Sequence, residues 1–506
     1  MANLPPKESH ARLRKRLLQP EALQLISEEM ARKHNVIPLE LHDHTLRVAM
    51  ANPADIFALE ALTTQTQLRI EPELASMEEI QEALDFNYKA YDEIERQISN
   101  IVPSKQAGEQ VKIDLDNVTN TPIAQALTLI IDEAVKARAS DVHLQPQEDK
   151  LRVRYRIDGT LHDMFSLPLM TTTPLISRIK IMANMDIADH HRPQDGQFSI
   201  KLKGRLLDIR VGTMSTVYGE MASLRLLDKS RANLVLTELG FLPESLAKYE
   251  KMLKVPHGMI LASGPTGAGK TTTLYASLNC LDCAGGNIIT IEDPVEYRFK
   301  GINQIQINPR AGITFSSGLR SILRLDPDVI LVGEIRDTET AKIAIQSALT
   351  GHLVLSSIHA NAAIGVVFRL LDLGIEPFLV SSALIGVVAQ RMVRRICPDC
   401  ARPVGAPLVE QIHYTQETGE TKTEFLYGSG CNSCANTGYR GRTGIFEILH
   451  ISAEIRRMLF NGTTAAALQN QAIKEGMVSL MRDGMLKVKE NITTPSEVLR
   501  NAYSPD

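Results

Sequence analysis

Gly264-Pro265-Thr266-Gly267-Ala268-Gly269-Lys270-Thr271 satisfies GxxxxGK[ST] at every fixed position, and Thr272 follows it. Glycines in such a run let successive backbone N–H groups point inward at phosphate oxygens, and a helix starting at its end adds a positive dipole. In that arrangement Lys270 reaches the β and γ phosphates and Thr271 holds Mg²⁺. An apolar run, Met259–Ala262, precedes the loop and a helical pattern, Thr271–Leu278, follows it. ATP is the expected ligand.

Hydrolysis also needs carboxylates at neighbouring strand ends, one near the metal and one to deprotonate the attacking water. Two stretches supply them: Glu292-Asp293-Pro294-Val295-Glu296 after the apolar run Ile288–Ile291, and Gly333-Glu334-Ile335-Arg336-Asp337 after Val329–Val332. The spacing leaves open which acid is the base. His352 and His359 flank a further apolar run, and a histidine there reads either the γ-phosphate or only its own strand end.

Six cysteines fall in three CxxC pairs. Cys397-Pro398-Asp399-Cys400 and Cys431-Asn432-Ser433-Cys434 together offer four thiolates to one Zn²⁺, the donor set of a closed structural site. Cys280-Leu281-Asp282-Cys283 lacks a redox setting and reads as two small buried thiols. Arg391, Arg394 and Arg395 beside the cysteines read as a solvated face or partner contact, with a zinc-ribbon contact to DNA as the alternative.

The elements that must position these groups follow from the pattern. Buried apolar runs alternate with helices after Lys229, including Thr338–Leu349 with its stripe of Ala341, Ala344, Ile345, Ala348 and Leu349; this is an α/β texture with parallel strands. Residues 121–229 open on a helix, Pro122–Arg138, and continue in alternating strands at Leu151–Arg156, Leu207–Val211 and Ala222–Leu227, with Asp158-Gly159 as a hairpin turn. Residues 96–120 are polar and suit a linker. Residues 1–95 form a small α/β unit with strands at Ile37–Leu39 and Leu46–Met50 and a helical pattern at Met77–Tyr88.

The 506 residues carry 55 Lys and Arg against 59 Asp and Glu, a net charge of -4. That balance argues against nucleic acid as a partner. No apolar stretch spans a bilayer and no secretory signal opens the chain, so the expected location is the cytoplasm, with any membrane association running through partners.

Four segments in order resemble the Walker A, Asp box, Walker B and His box of the secretion and pilus-assembly ATPases of the GspE/PilB type: the glycine loop, Ile289–Tyr297, Leu323–Asp337 and Thr350–His359. Leu325, Ser357, Ala360 and Ala363 depart from the usual residues, none at a catalytic position. The resemblance implies a RecA-like core over 230–506 with a zinc insert near 397–434, preceded by a PAS-like domain over 121–229. It makes Glu296 the base, Glu334 the Mg²⁺-associated acid and His359 the γ-phosphate sensor. The segments Ser140–Pro146 and Arg192–Gly196 liken the middle domain to the family's second N-terminal domain, which supplies arginines to the nucleotide; Arg210 and Arg225 match. Residues 1–95 resemble the family's amino-terminal domain, whose expected role is docking, with Ala11–Ala31 either the docking surface or a plain packing helix. Some relatives bind cyclic-di-GMP there through an arginine/leucine/glycine repeat. This chain lacks the glycine after Arg12-Leu13 and any second copy, so that site is not carried over. The implied protein is a hexameric Mg²⁺-dependent ATPase working on an inner-membrane platform protein and a membrane-anchored docking component, to assemble pilins or pseudopilins. A nucleic-acid translocase and a nucleotide-binding scaffold are the alternatives.

Overall fold

A computed structural model describes residues 22–84 apart from 24, 43 and 82, residues 121–228 apart from 203, and residues 235–281, 285–434 and 437–502. The linker 96–120, Arg12-Leu13 and the first part of Ala11–Ala31 lie outside them. The chain divides into two compact units. One comprises Met1–Lys229, Cys397–Ala401 and Gly428–Arg440; the other comprises Ser230–Ile396, Arg402–Tyr427 and Gly441–Asp506. Among the described residues no helix is long and apolar enough to cross a membrane.

The first unit holds two separate sheets. β1 (Val36–His42) and β2 (Thr45–Met50) pair antiparallel, and β3 (Arg69–Leu74) runs parallel to β2 at the edge. Val36, Ile37, Leu39, Leu46 and Val48 form a core with Ala58 and Leu62 of the helix Ile56–Thr66, which Asp55 caps by accepting the Ala58 N–H.

The second sheet has the order β6-β5-β4-β9-β8-β7, all antiparallel: β4 (Ala139–Pro146), β5 (Lys150–Ile157), β6 (Thr160–Pro168), β7 (Gln194–Leu202), β8 (Arg205–Thr216) and β9 (Gly219–Asp228). Along β5 the burial alternates, with Leu151, Val153, Tyr155 and Ile157 inward and Arg152, Arg154 and Arg156 on the other face. The inward face packs on helices Pro122–Lys136 and Thr172–Met182 through Leu127, Ile130, Ile131, Ile176 and Ile179. The expected hairpin forms at Asp158-Gly159. Both residues have positive φ, +48° and +92°, as a two-residue turn between twisted strands requires.

The second unit is built on a seven-stranded sheet of order β12-β11-β13-β14-β10-β15-β18. The strands are β10 (Gly258–Ser263), β11 (Ile288–Glu292), β12 (Asn303–Gln306), β13 (Val329–Val332), β14 (Leu353–Ile358), β15 (Leu384–Ile396) and β18 (Tyr439–His450). From β12 to β15 every neighbouring pair is parallel. β10, β11 and β14 are buried along their whole length, because apolar clusters cover both faces. One face packs on helices Thr338–Leu349 and Ala363–Asp372, the other on Pro243–Leu253 and Lys270–Leu278. Between β15 and β18, β16 (Ala401–Gly405) and β17 (Glu424–Gly428) form a two-stranded sheet.

Candidate functional site

In a parallel sheet the chain emerges from every strand at the same edge, so residues just past the strand ends converge whatever their separation in sequence. The glycine loop follows β10, Glu292–Glu296 follows β11, Glu334 follows β13 and His359 follows β14. β13, β14 and β10 are consecutive in the sheet.

The loop from Gly264 to Gly269 needs its glycines. Gly264, Gly267 and Gly269 have φ of +144°, +78° and +90°, and a Cβ on Gly264 would stand 2.4 Å from the Gln390 carbonyl oxygen. Gln390, buried on β15, donates its amide to the Ala268 carbonyl at 2.7 Å. Pro265, Thr266 and Gly267 are exposed, as is Thr271, while Ala268 is buried and Thr272 half-buried. The helix Lys270–Leu278 starts directly at the loop with Gly269 as its cap residue. Lys270 is half-buried and donates to the Gly264 and Pro265 carbonyls at 2.7 and 3.0 Å. Burial holds its ammonium below the usual lysine range, opposed by Glu334 and reinforced by Arg391.

Glu334 is half-buried, with Arg336 Nη2 at 2.6 Å and His359 Nε2 at 3.9 Å from its two oxygens. Its turn is tied to β14: Ser357 donates to the Gly333 carbonyl at 2.8 Å and the Ile335 N–H to the Ser357 carbonyl at 2.9 Å. Ser357 thus has a local structural task. His352 lies at the amino end of β14, where its Nδ1 meets the Ser347 carbonyl at 2.9 Å. That is the sheet edge opposite the glycine loop.

The two acids of the Asp box separate by burial. Glu292 is 3% exposed, and its carboxylate receives the Tyr275 hydroxyl, Thr290 Oγ1 at 2.6 Å and Gln304 Nε2 at 3.2 Å. Glu296 is half-buried. Sequence spacing gave no sign of Tyr275, Gln304 or Gln390, because none belongs to a motif that names a charge.

Arg391 departs from its expected place. It is half-buried beside Gly264, donating to the Gln390 carbonyl at 3.1 Å and the Asn361 carbonyl at 2.6 Å. Arg394 is likewise no solvated charge. It forms a two-pronged pair with the buried Glu497, at 3.0 and 2.6 Å. Only Arg395 of the three is exposed. Arg210 and Arg225 face each other across β8 and β9, on the side opposite the packed helices. Arg225 is exposed and donates to Asp141 at 3.0 Å, and Arg210 is half-buried.

The four sulfurs of Cys397, Cys400, Cys431 and Cys434 lie within 4.8 Å of one another, and all four residues are buried. The Cys397–Cys431, Cys400–Cys434 and Cys431–Cys434 separations are 3.7, 3.9 and 3.6 Å. Four thiolates about 2.3 Å from a tetrahedral zinc stand about 3.8 Å apart, so the donor set and its spacing fit Zn²⁺. Without an ion, burial pushes the Cys397 thiol up to about 11. Cys280 is exposed rather than buried, since it lies past the end of its helix, and Cys283 falls outside the described residues.

The model of the type II/IV secretion system protein family matches residues 116–500. That of the MshEN domain matches residues 7–93. The chain is 41% identical over 499 residues to the type IV pilus assembly ATPase PilB of Myxococcus xanthus, covering 97% of this chain and 88% of that one. It is 45% identical over 387 residues to the type II secretion system protein E of Dickeya dadantii, covering 76% of this chain and 77% of that protein. Among solved structures, the pilus retraction motor PilT with bound ADP is 26% identical at a TM-score of 0.51, covering 74% of this chain and 96% of that one. The Legionella pneumophila ATPase DotB, 18% identical, shares the fold at a TM-score of 0.56 over 74% of this chain and 94% of its own.

Proposed function

The chain belongs to the type II/IV secretion system protein family and is an ATP hydrolase, and from that premise we propose a hexameric, Mg²⁺-dependent motor that drives assembly of pilins or pseudopilins. The observation that carries this reading is the convergence of the glycine loop, Glu296, Glu334 and His359 on one carboxyl edge of a parallel sheet. In this reading Lys270 leaves the two loop carbonyls for the β and γ phosphates, and the loop N–H groups take the remaining phosphate oxygens. Thr271 and Glu334 supply hard oxygen ligands suited to Mg²⁺, which when bound neutralises charge on the phosphates. Glu296 takes a proton from the attacking water, since Glu292 has its oxygens committed to buried donors. His359 reads the γ-phosphate, and Arg210 and Arg225 lend positive charge to the phosphoryl group. Zn²⁺ in the four-cysteine site has no open position and serves structure alone. The names of the relatives support the assembly role. In the proposed setting, residues 1–95 dock to a membrane-anchored component, and the motor acts on an inner-membrane platform protein from the cytoplasmic side.

The test is Mg²⁺-dependent phosphate release by the purified protein. Lys270→Ala should fail to bind ATP, and Glu296→Gln should bind it while turnover falls on the order of 10²–10⁴-fold. Wild-type protein that binds ATP but never turns it over, even with its membrane partner, would make it a scaffold. Turnover that rises steeply with DNA and collapses with salt would make it a translocase.

A further inference from the structure

Behind the Asp box lies a buried polar network that the reaction as described does not use. Tyr275 sits on the helix Lys270–Leu278, on the turn after Lys270, and is fully buried. Its hydroxyl donates to Glu292 and at the same time accepts the backbone N–H of Glu296 at 3.2 Å. Its ring meets Phe299 and Tyr297 edge-on, with centroids 4.9 and 6.1 Å away. Glu292 closes β11, and its remaining bonds come from Thr290 and Gln304. Gln304, on the edge strand β12, also donates to the Tyr297 carbonyl at 2.9 Å and accepts the Phe299 N–H at 2.9 Å. Gln306, two residues on, accepts the Val295 N–H at 3.4 Å.

The segment 295–299 is therefore tied to the scaffold at four of its five residues. One tie runs to the helix that carries the phosphate-binding lysine; the others run to the edge strand. A buried carboxylate is tolerated when donors surround it, and one so surrounded has no lone pair directed at solvent. Burial, and then the Glu292 charge, push the Tyr275 hydroxyl above its ordinary range, so it remains a neutral donor.

We propose that Tyr275, with Glu292 and Gln304 as its anchors, is a positioning residue for hydrolysis: it fixes the backbone of Glu296 relative to the phosphate-loop helix, and so sets the reach of the Glu296 carboxylate to the attacking water. The inference rests on the reading of Glu296 as the base. A general base acts only within hydrogen-bond reach of its proton, and a displacement of about 1 Å costs about 10²-fold in rate. Nucleotide affinity comes from the glycine loop and Lys270, whose hydrogen bonds run to the Gly264 and Pro265 carbonyls and to Gln390.

The experiment compares full-length wild type, Tyr275→Phe, Gln304→Leu, Glu292→Gln and Glu296→Gln in steady-state phosphate release against ATP, with affinity for a fluorescent ADP measured separately. In Tyr275→Phe and Gln304→Leu, kcat is expected to fall about 10–100-fold while KM and ADP affinity stay within about twofold. A residue that only filled the core would lower both together or neither. If Tyr275→Phe fails to fold, Gln304→Leu carries the test, because half-buried Gln304 on the edge strand pins the same segment. Both variants turning over within about twofold of wild type, with Glu296→Gln inactive, would overturn the positioning role alone. Glu292→Gln as inactive as Glu296→Gln, beside an active Tyr275→Phe, would overturn it by making Glu292 chemical. A Glu296→Gln that hydrolyses ATP normally would instead remove the base assignment on which the inference stands.

Discussion

Arg391 joins two loops that the chain supplies from distant positions. Its guanidinium spans the Gln390 carbonyl, against which Gly264 packs, and the Asn361 carbonyl just past His359. Burial lowers its pKa and the Glu447 carboxylate opposes that shift. Glu447 in turn accepts the Ala363 N–H at 2.8 Å, at the start of the next helix. A lysine ammonium is a compact charge without the guanidinium's wide fork, which here places Nη1 and Nη2 on separate carbonyls. Arg391→Lys should therefore weaken ATP binding about tenfold, the loss of one charge-assisted bond of about 1.5 kcal/mol, read by nucleotide titration. Affinity equal to wild type would show that the bridge is idle. The sequence placed Arg391 with Arg394 and Arg395 beside the cysteines, and its neighbours in the chain justify that. β15, however, is 13 residues long: Gln390 and Arg391, at its middle, sit beside the glycine loop, while Arg394, three residues on, reaches Glu497. Spacing likewise left Glu292 and Glu296 equivalent. Only the donors around Glu292, brought from helix and edge strand, separate them.

At the scale of elements, the zinc proposed for the four cysteines would clip 397–400 to 431–434. Cys397 and Cys431 are essentially fully buried, and among the described residues their cluster consists of the four cysteines alone. Structural zinc in small domains contributes on the order of 10–16 kcal/mol of folding free energy. Cys400→Ser should thus abolish binding of one zinc per chain by metal analysis and open the 397–440 region to limited proteolysis, while the seven-stranded sheet stays resistant. Unchanged proteolysis would deny the metal its structural task. Strands that alternate or are wholly apolar were legible in the chain, as were the loop, the turn at Asp158-Gly159 and the helix Thr338–Leu349. β3, β4, β7, β12 and β15 to β18 were not read as strands. β3 carries Arg69, Glu71, Pro72 and Glu73 and survives as an edge strand, where a proline costs no pairing. β4 has Asp141, His143 and Gln145 on its outer face, and β7 never buries a side chain fully. β4 pairs with the distant β9, which a local pattern does not contain, whereas β7 forms a hairpin with the next strand, β8, and lacks the buried face that would mark it.

At the scale of the whole molecule, a motor whose subunits work in turn differs from a set of independent hydrolases. If the proposed hexamer works that way, mixing wild type with Lys270→Ala before assembly should lower phosphate release well below the wild-type fraction, because an inert subunit would stall the others. A strictly proportional decline would mean subunits that hydrolyse alone. The excursion between β15 and β18 has a different bearing on the molecule. The chain leaves the sheet at Ile396 and re-enters at Tyr439 on the adjacent strand. The Cys397 N–H meets the Gly438 carbonyl at 2.9 Å across the neck. Beyond the neck the chain is anchored a second time, because Tyr414 and Phe425 pack with Met485, Val488 and Val498 of the helices Leu480–Lys489 and Pro495–Ala502. Doubling the length of an exposed loop costs only about 0.6 kcal/mol in closure entropy. The exposed residues 419–421, between the helix Leu408–Thr418 and β17, are thus the splice point of this excursion, where a tag or a fluorophore can be grafted while its packed face stays in place.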